Sequence, residues 1–512
     1  MNDINDEFLL CIDVGTGSVR SAAVGLDGRI MHIVSREHDQ IVRQFGWSEQ
    51  RAESWWDGVV TSVCELLAIV PRARDRMLAI SACGQMHGTV LLGIDGALTR
   101  ETVPLWNDKR TAALVIAFEA AHPAHEYLRA SGNPASPAWP AFKLAWLRDN
   151  DPRAYHLATT VLMPKDFINY RLTGERAMDG GDASLSFLMN PSTKTWSQTM
   201  IDALGLDAEK LPPLRSPLDF LGSVTPAAAQ QTGLRVGTPV LVGGADYPVA
   251  VLGSGVCRPG LASDVTGTSC IISSIATAPV FDPEICNVAT IEGHWAAFIL
   301  LETGGDAVRW ARRTLHSGSL DYTAIMDRAG EAPAGADGLF FLPYLVGERL
   351  GRSRNARAQF FGLAAGHGVA HLDRALIEGV TFAATRALRD IEKATGQSVE
   401  RVVAASGGAK SDLWLKIKAS SYNLPILVPE EAECGIVGLA AMAATALGHY
   451  RTIEDAVAGC VRFAAEIEPI PAWAERYARM QPIFDTLQER SRDLYDALDA
   501  LAVSNASPTS PI

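Results

Sequence analysis

Two short stretches constrain the fold of this chain most: Asp13-Val14-Gly15-Thr16-Gly17-Ser18 and Asp264-Val265-Thr266-Gly267-Thr268-Ser269. Each opens with Asp-Val and continues through small Gly, Thr and Ser residues. In the first copy, Phe8 to Ile12 reads as a buried strand, residues 15–18 as a turn, and Val19 to Val24 as the returning strand. Asp27-Gly28 is a two-residue hairpin signal and Ile30 to Val34 a third strand, so an antiparallel meander opens the chain. In the second copy, Leu261 to Val265 and Ile271 to Ile275 flank the turn at 267–269. The recurrence predicts an internal duplication with the two copies facing each other. Two unrelated hairpins that both favour Gly and Thr are the alternative.

The rest of the pattern alternates helices and strands. Apolar residues recur at helical spacing over Ala52 to Ala68, and Leu78 to Ser81 is a strand ending at Gly84-Gln85-Met86-His87-Gly88. Val240-Leu241-Val242 stops at Gly243-Gly244-Ala245-Asp246. Further on, Asp373 to Ala394 is helical with Gly396 as its C-cap, and Val402 to Ala405 is a strand closed by Ser406-Gly407-Gly408. Ser411 to Tyr422 is a helix, Ile426 to Val428 a strand, and Gly435 to Leu447 a small-residue helix. Thr452 to Leu501 again has helical periodicity. This alternation predicts an α/β protein of mixed sheets with helices on both faces. A chain of 512 residues is too long for one core. The Gly/Pro-rich stretch at 253–260 supplies a boundary. The expected domains are 1–256 and 257–450, followed by a helical segment at 451–503 and a Ser/Pro-rich disordered tail at 504–512.

Composition removes several classes of function. A net charge of −13 argues against a general nucleic-acid binder. The eight cysteines are scattered with no Cys-x-x-Cys pair, which supports neither a zinc site nor a disulfide framework and fits reduced thiols in a cytoplasm. The acidic start, Met1 to Glu7, is unlike a signal peptide, and no apolar run is long enough to span a bilayer.

What remains is a set of residues suited to phosphoryl transfer. Gly15, Gly17 and Gly267 let backbone approach an anion, while Thr16, Ser18 and Thr268 add hydroxyl donors. Asp246 is an isolated acid after two glycines, placed to take a hydroxyl proton. Asp13 precedes its turn and could hold Mg²⁺. Gly407-Gly408 and Gly304-Gly305-Asp306 each precede a helix, where amides meet a phosphate or simply make a tight turn. No Gly-x-x-x-x-Gly-Lys-Ser/Thr occurs, which excludes a Walker-type nucleotide site. Taken alone, His87 reads as a structural or surface histidine, Trp106-Asn107-Asp108 as a turn with a buried indole, and Trp139 as cover for a core edge. Arg349, Arg352, Arg354 and Arg357 read as a solvated basic loop first and a phosphate-attracting rim second.

Four matches in order carry a resemblance: Ile12-Asp13-Val14-Gly15-Thr16, Phe142-Lys143-Leu144-Ala145-Trp146, Gly243-Gly244-Ala245-Asp246 and Ser406-Gly407-Gly408-Ala409-Lys410-Ser411-Asp412. Over nearly its whole length the chain resembles the FGGY family of carbohydrate kinases. Gly84-Gln85-Met86-His87-Gly88 and Leu105-Trp106-Asn107-Asp108 look most like the xylulokinase branch. The resemblance implies two actin-like, ribonuclease H-like ATPase domains with an interdomain cleft, and ATP and Mg²⁺ beside a small sugar or polyol. By similarity Asp246 is the general base, Met86, His87, Trp106 and Tyr247 lie at the sugar, and Asp13 helps position the metal. Thr16, Gly17, Ser18, Gly267, Thr268 and Gly304 approach phosphates, and Gly408 and Asp412 lie at the nucleoside. Homodimers occur in the family. One departure stands out: Tyr247, followed by Pro248, occupies the place where xylulokinases usually carry Asn. A phenol replaces an amide donor and acceptor there, which brings another ketose or a polyol into play beside D-xylulose. A nucleotide-gated binding protein of the same architecture is the reading from another class.

Overall fold

The computed structural model describes residues 7–348, 350 and 354–504. The acidic segment before Glu7, the tail beyond Ser504, and Arg349 and Arg352 lie outside the described residues. The chain forms two compact units, each gathered from separated stretches. The first comprises Met1–Arg258, Ile275–Ala297 and Glu431–Arg462, and the second Pro259–Ser274, Phe298–Glu430 and Phe463–Ile512.

In the first unit the meander is as read. Strand Phe8–Val14 pairs antiparallel with Ser18–Gly25, which pairs antiparallel with Ile30–Glu37. On its other side Phe8–Val14 pairs parallel with Met77–Gly84. Strands Pro239–Leu241 and Phe220–Ser223 extend the sheet, and Gly244–Ala245 adds to Met77–Gly84. Both faces of the first strand are buried, which explains why it reads as a continuous apolar run rather than an alternating one. Phe8, Leu10, Ile12 and Val14 pack into one core with Trp55, Val59 and Phe167 of helices Ala52–Ile69 and Pro164–Thr173. Leu9 and Cys11 pack into the other, with Val249 and Leu252 of helix Asp246–Gly253 and Ala440 and Ala441 of helix Cys434–Ala446. Each large aliphatic or aromatic side chain so buried contributes about 1.5–3 kcal/mol, enough in sum to hold the strand ends rigidly.

The second unit repeats the opening move. Strand Leu261–Thr266 pairs antiparallel with Cys270–Ala276 and parallel with Arg401–Ala405. Strands Ile426–Pro429 and Phe463–Ile467 follow in order. Helix Val369–Thr395 ends at Gly396, whose φ of 67° is the left-handed cap expected of it. Within 451–503 the helical reading needs one correction, because Phe463–Ile467 is an edge strand between helices Ile453–Cys460 and Pro471–Arg490. Its side chains are mostly exposed, so backbone pairing with Ile426–Pro429 outweighs the local pattern. A buried triad ties Pro471–Arg490 to the long helix: Arg374 Nε donates to Glu378 Oε1 at 2.6 Å, and Tyr477 Oη donates to the same oxygen at 2.6 Å.

Candidate active site

Three parallel strands of the first unit end side by side. Asp13 is in register with Cys83 and Cys83 with Gly244; one residue on, Val14, Gly84 and Ala245 form the next row. The chain leaves these ends as Gly15-Thr16-Gly17, Gln85-Met86-His87-Gly88 and Asp246-Tyr247. Carboxyl ends of parallel strands are where α/β sheets present groups to ligands. Thus Asp13, Thr16, Met86, His87, Asp246 and Tyr247, far apart in sequence, emerge along one edge of the sheet.

The first turn is held by its carbonyls. Gly15 O accepts from His38 Nε2 at 3.1 Å and Gln85 Nε2 at 3.4 Å, and Thr16 O accepts from Gln50 Nε2 at 2.6 Å. Gln50 Oε1 accepts in turn from Trp55 Nε1 at 3.0 Å and Gln85 Nε2 at 2.8 Å. Trp106 Nε1 donates to Thr16 Oγ1 at 3.0 Å. Its indole is 36% exposed, not buried, because Leu105 and Asp108 on either side of the turn take the interior positions. Asp108 is locked by Arg110 at 2.7–2.8 Å and by the Ser48 N–H at 2.7 Å. Trp139 is buried at the head of helix Pro140–Asn150, with its ring edge-on to His87 at 5.0 Å. Met86 is buried, and Tyr247 is partly buried.

Asp246 opens its helix because of the residue three before it. Gly243 has φ of 71°, and a Cβ there would collide with the Ala82 carbonyl. Only glycine lets the chain turn so closely over the strand. Asp246 Oδ1 accepts from the Tyr247 N–H at 2.8 Å. Although part of the residue meets solvent, protein surrounds most of the carboxyl. Burial, reinforced by Asp13, pushes it up to about 7, with the Tyr247 N–H opposing. Burial also raises Asp13; Arg20 at 3.4 Å and the Cys83 thiol at 3.5 Å oppose, while Glu433 adds. Arg20 is divided, since it also bonds Glu433 at 2.8 Å. Two neighbouring acids thus share too little positive charge. Hard oxygen donors with that deficit fit a divalent cation such as Mg²⁺.

One group beside Asp246 escaped the sequence reading. Lys165 Nζ lies 2.6 Å from Asp166, 2.8 Å from Asp179 and 3.8 Å from Asp182, all buried. Among the described residues these acids are a set of three with oxygens within 4.8 Å of one another. The ammonium already supplies their cation, and burial keeps Asp182 protonated well above the usual carboxylate range. Lys165 Nζ and Asn169 Nδ2 both donate to Val242 O, at 3.4 and 2.8 Å, bracing the turn that leads to Asp246. Pro164-Lys165-Asp166 opening a helix was the available signal.

In the second unit three turns converge. Gly304 N–H donates to Thr268 O at 2.9 Å, Gly305 N–H to Gly267 O at 2.7 Å, and Arg309 Nη2 to Thr268 Oγ1 at 3.0 Å. A Cβ on Gly408 would lie 2.7 Å from Thr266 Cβ. Gly267, Thr268, Gly304 and Gly408 are therefore brought together. Asp412 starts the next helix and is exposed, bonded to Lys416 at 2.7 Å. Of the basic cluster, Arg357 pairs with Asp499 at 2.7 Å and Arg354 is exposed. The Asp-Val match of the two hairpins is not an equivalence. Both turns have three residues between strands, so Gly15 matches Gly267 and Asp13 matches Val265. Asp264 sits one residue earlier, and one residue along a strand reverses the face. Its carboxylate is buried against Lys418 at 2.8 Å and Tyr422 at 2.7 Å.

This architecture has known relatives. The model of the FGGY family of carbohydrate kinases, N-terminal domain, matches residues 8–253, and that of the C-terminal domain matches residues 262–447. The chain belongs to the FGGY family and is a carbohydrate kinase of the actin-like ATPase fold class. It is 29% identical to a xylulose kinase of Bacillus subtilis, over 96% of this chain and 99% of that one. Its fold is similar to that of a gluconate kinase from Lactobacillus acidophilus (TM-score 0.91, 26% identity, 96% of this chain, 99% of that one). It is equally similar to a ligand-bound xylulose kinase from the same organism (TM-score 0.91, 26% identity, 96% and 100%). Among the described residues no helix is long and apolar enough to cross a membrane.

Proposed function

We propose that this kinase transfers the terminal phosphoryl group of ATP to a hydroxyl of a ketopentose, D-xylulose giving its 5-phosphate. The observation that carries this reading is Asp246, a carboxyl raised to about 7 at the strand ends where Met86, His87 and Tyr247 also emerge, with Trp106 bonded to Thr16 at the same ends. A sugar hydroxyl attacks poorly until its proton has an acceptor. Asp246 takes that proton as the oxygen bonds to phosphorus and the bond to the bridging oxygen of ADP breaks. The acceptor side belongs to the first unit and the nucleotide side to the second, rather than to the continuous stretches 1–256 and 257–450, because residues 275–297 and 431–462 pack with the first unit. Gly267, Thr268 and Gly304 bind phosphates, with Thr16, Gly17 and Ser18 near the transferring group, and Gly408 and Asp412 at the nucleoside. Asp13 would hold Mg²⁺, which when bound neutralises phosphate charge.

The second reading keeps the chemistry and changes the acceptor to another ketose, a polyol or an aldonate. Tyr247 motivates it: a phenol stands where the xylulokinase branch carries an amide, directly after the base. ADP release with Mg·ATP over a panel of acceptors separates the two. Highest kcat/KM on D-xylulose supports the first, and highest kcat/KM on another acceptor overturns it in favour of the second.

A further inference from the structure

We infer that Lys143 is a positioning residue of the acceptor site, whose buried ammonium holds His87 in a left-handed backbone conformation and so fixes the direction of its imidazole. This rests on the reading of His87 as an acceptor contact.

Lys143 lies in helix Pro140–Asn150 and is 0% exposed. Its Nζ donates to the His87 carbonyl oxygen at 2.8 Å. The nearby acid does not neutralise it by contact, because Asp108 bonds Arg110 and the Ser48 N–H. Desolvation drives the ammonium down to about 7, with Asp108 opposing and Arg110 adding. Packing alone would favour an apolar side chain at such a position, since a buried amine is costly. What the lysine gains is one hydrogen bond to one carbonyl.

That carbonyl belongs to a strained residue. His87 has φ of 70°, a region non-glycine residues enter at a cost of about 1–3 kcal/mol and keep only when their surroundings insist. The neighbours cannot absorb the strain. Met86 is buried, and a Cβ on Gly88 would lie 2.6 Å from Pro164 Cγ, so the chain there is tightly seated. The imidazole packs edge-on against Trp139, the residue that opens the helix carrying Lys143. One helix therefore fixes both the carbonyl and the ring of His87. Without the ammonium, the carbonyl keeps only the longer bond from Thr89 Oγ1 at 3.4 Å and the backbone relaxes towards negative φ, which takes the imidazole off Trp139.

The test is a double-mutant cycle on the full-length enzyme, reading KM for acceptor and for ATP separately. Lys143→Met is expected to raise acceptor KM about tenfold or more, the loss of one charge-assisted hydrogen bond, with ATP KM within about twofold. In a His87→Gly background, where no imidazole remains to be aimed, the same change should add less than about twofold. Lys143→Arg, run in parallel, keeps the buried charge and misplaces the donor. Should Lys143→Met not fold, a raised acceptor KM with unchanged ATP KM in Lys143→Arg supports the inference, and unchanged constants overturn it. If His87→Gly raises acceptor KM but Lys143→Met does not, or if the two effects simply multiply, Lys143 does not position His87. If His87→Gly itself leaves acceptor KM unchanged, the reading of His87 as an acceptor contact fails instead.

Discussion

Replacing Asp246 with asparagine should abolish turnover and, above neutral pH, make the protein more stable. The folded carboxyl is raised from an ordinary 3.8 to about 7. A group whose folded value is raised binds more protons folded than unfolded between those limits. Stability is therefore lost as pH rises from about 4 through about 7, and the full penalty is present at pH 8. Three pH units correspond to a ceiling of about 4 kcal/mol, which solvent at the exposed part of the carboxylate reduces to about 1–3 kcal/mol. In a unit of this size that is an increase in Tm of about 1.5–5 °C. Asparagine keeps an oxygen for the Tyr247 N–H and carries no charge. Thermal unfolding without metal or nucleotide, at pH 8 and in steps down to pH 4, measures it. The gain should be largest at pH 8 and vanish towards pH 4, with turnover reduced about 10²–10⁴-fold. A variant no more stable than wild type at pH 8, or a difference that does not change with pH, would refute the claim that the base is held desolvated.

Three further outcomes follow from named contacts. Because Asp246 accepts a proton only when ionised, kcat/KM should rise with pH through a midpoint near 7, lowered where a cation at Asp13 stabilises the carboxylate; a flat profile from pH 5.5 to 8.5 contradicts this. Tyr247→Asn restores the amide of the xylulokinase branch and should move the kcat/KM ratio of D-xylulose over D-gluconate by about tenfold towards D-xylulose, and an unchanged ratio removes Tyr247 from the specificity argument. Lys418→Met strands Asp264 without its buried cation and should cost about 3–5 kcal/mol in chemical denaturation, most of it recovered by adding Asp264→Asn; losses of the two single variants that simply add in the double would show the pair is not coupled.

Much of this was legible in the sequence, for physical reasons. A strand buried on both faces left an apolar run at Phe8, and turns left Gly, Thr and Asp at similar offsets after it and after the strand from Leu261. Gly396 showed where the long helix stops. What stayed hidden depends on partners distant along the chain. Asp13 and Asp264 look alike in sequence, yet one strand residue separates Asp13 from its turn and two separate Asp264, which sends them to opposite faces. Trp106 is an exposed indole because its neighbours take the interior. The Lys143–His87 contact joins elements far apart in the chain and has no local spacing that announces it, and the Lys165 group offers only Pro164-Lys165-Asp166 at a helix start, with Asp179 and Asp182 brought in from elsewhere. The edge strand Phe463–Ile467 is largely solvent-exposed and shows no alternating pattern, so only its pairing identifies it.

The most direct test of the central claim is acceptor-dependent ADP release with Mg·ATP over D-xylulose, L-xylulose, D-ribulose, D-fructose, D-gluconate, xylitol and glycerol, for wild type and Asp246→Asn. The account predicts release that needs an acceptor, is fastest in kcat/KM with D-xylulose, and falls to background in the variant while ATP still binds. Wild-type release that ignores the acceptor, or a variant that keeps substantial acceptor-dependent turnover, would contradict it.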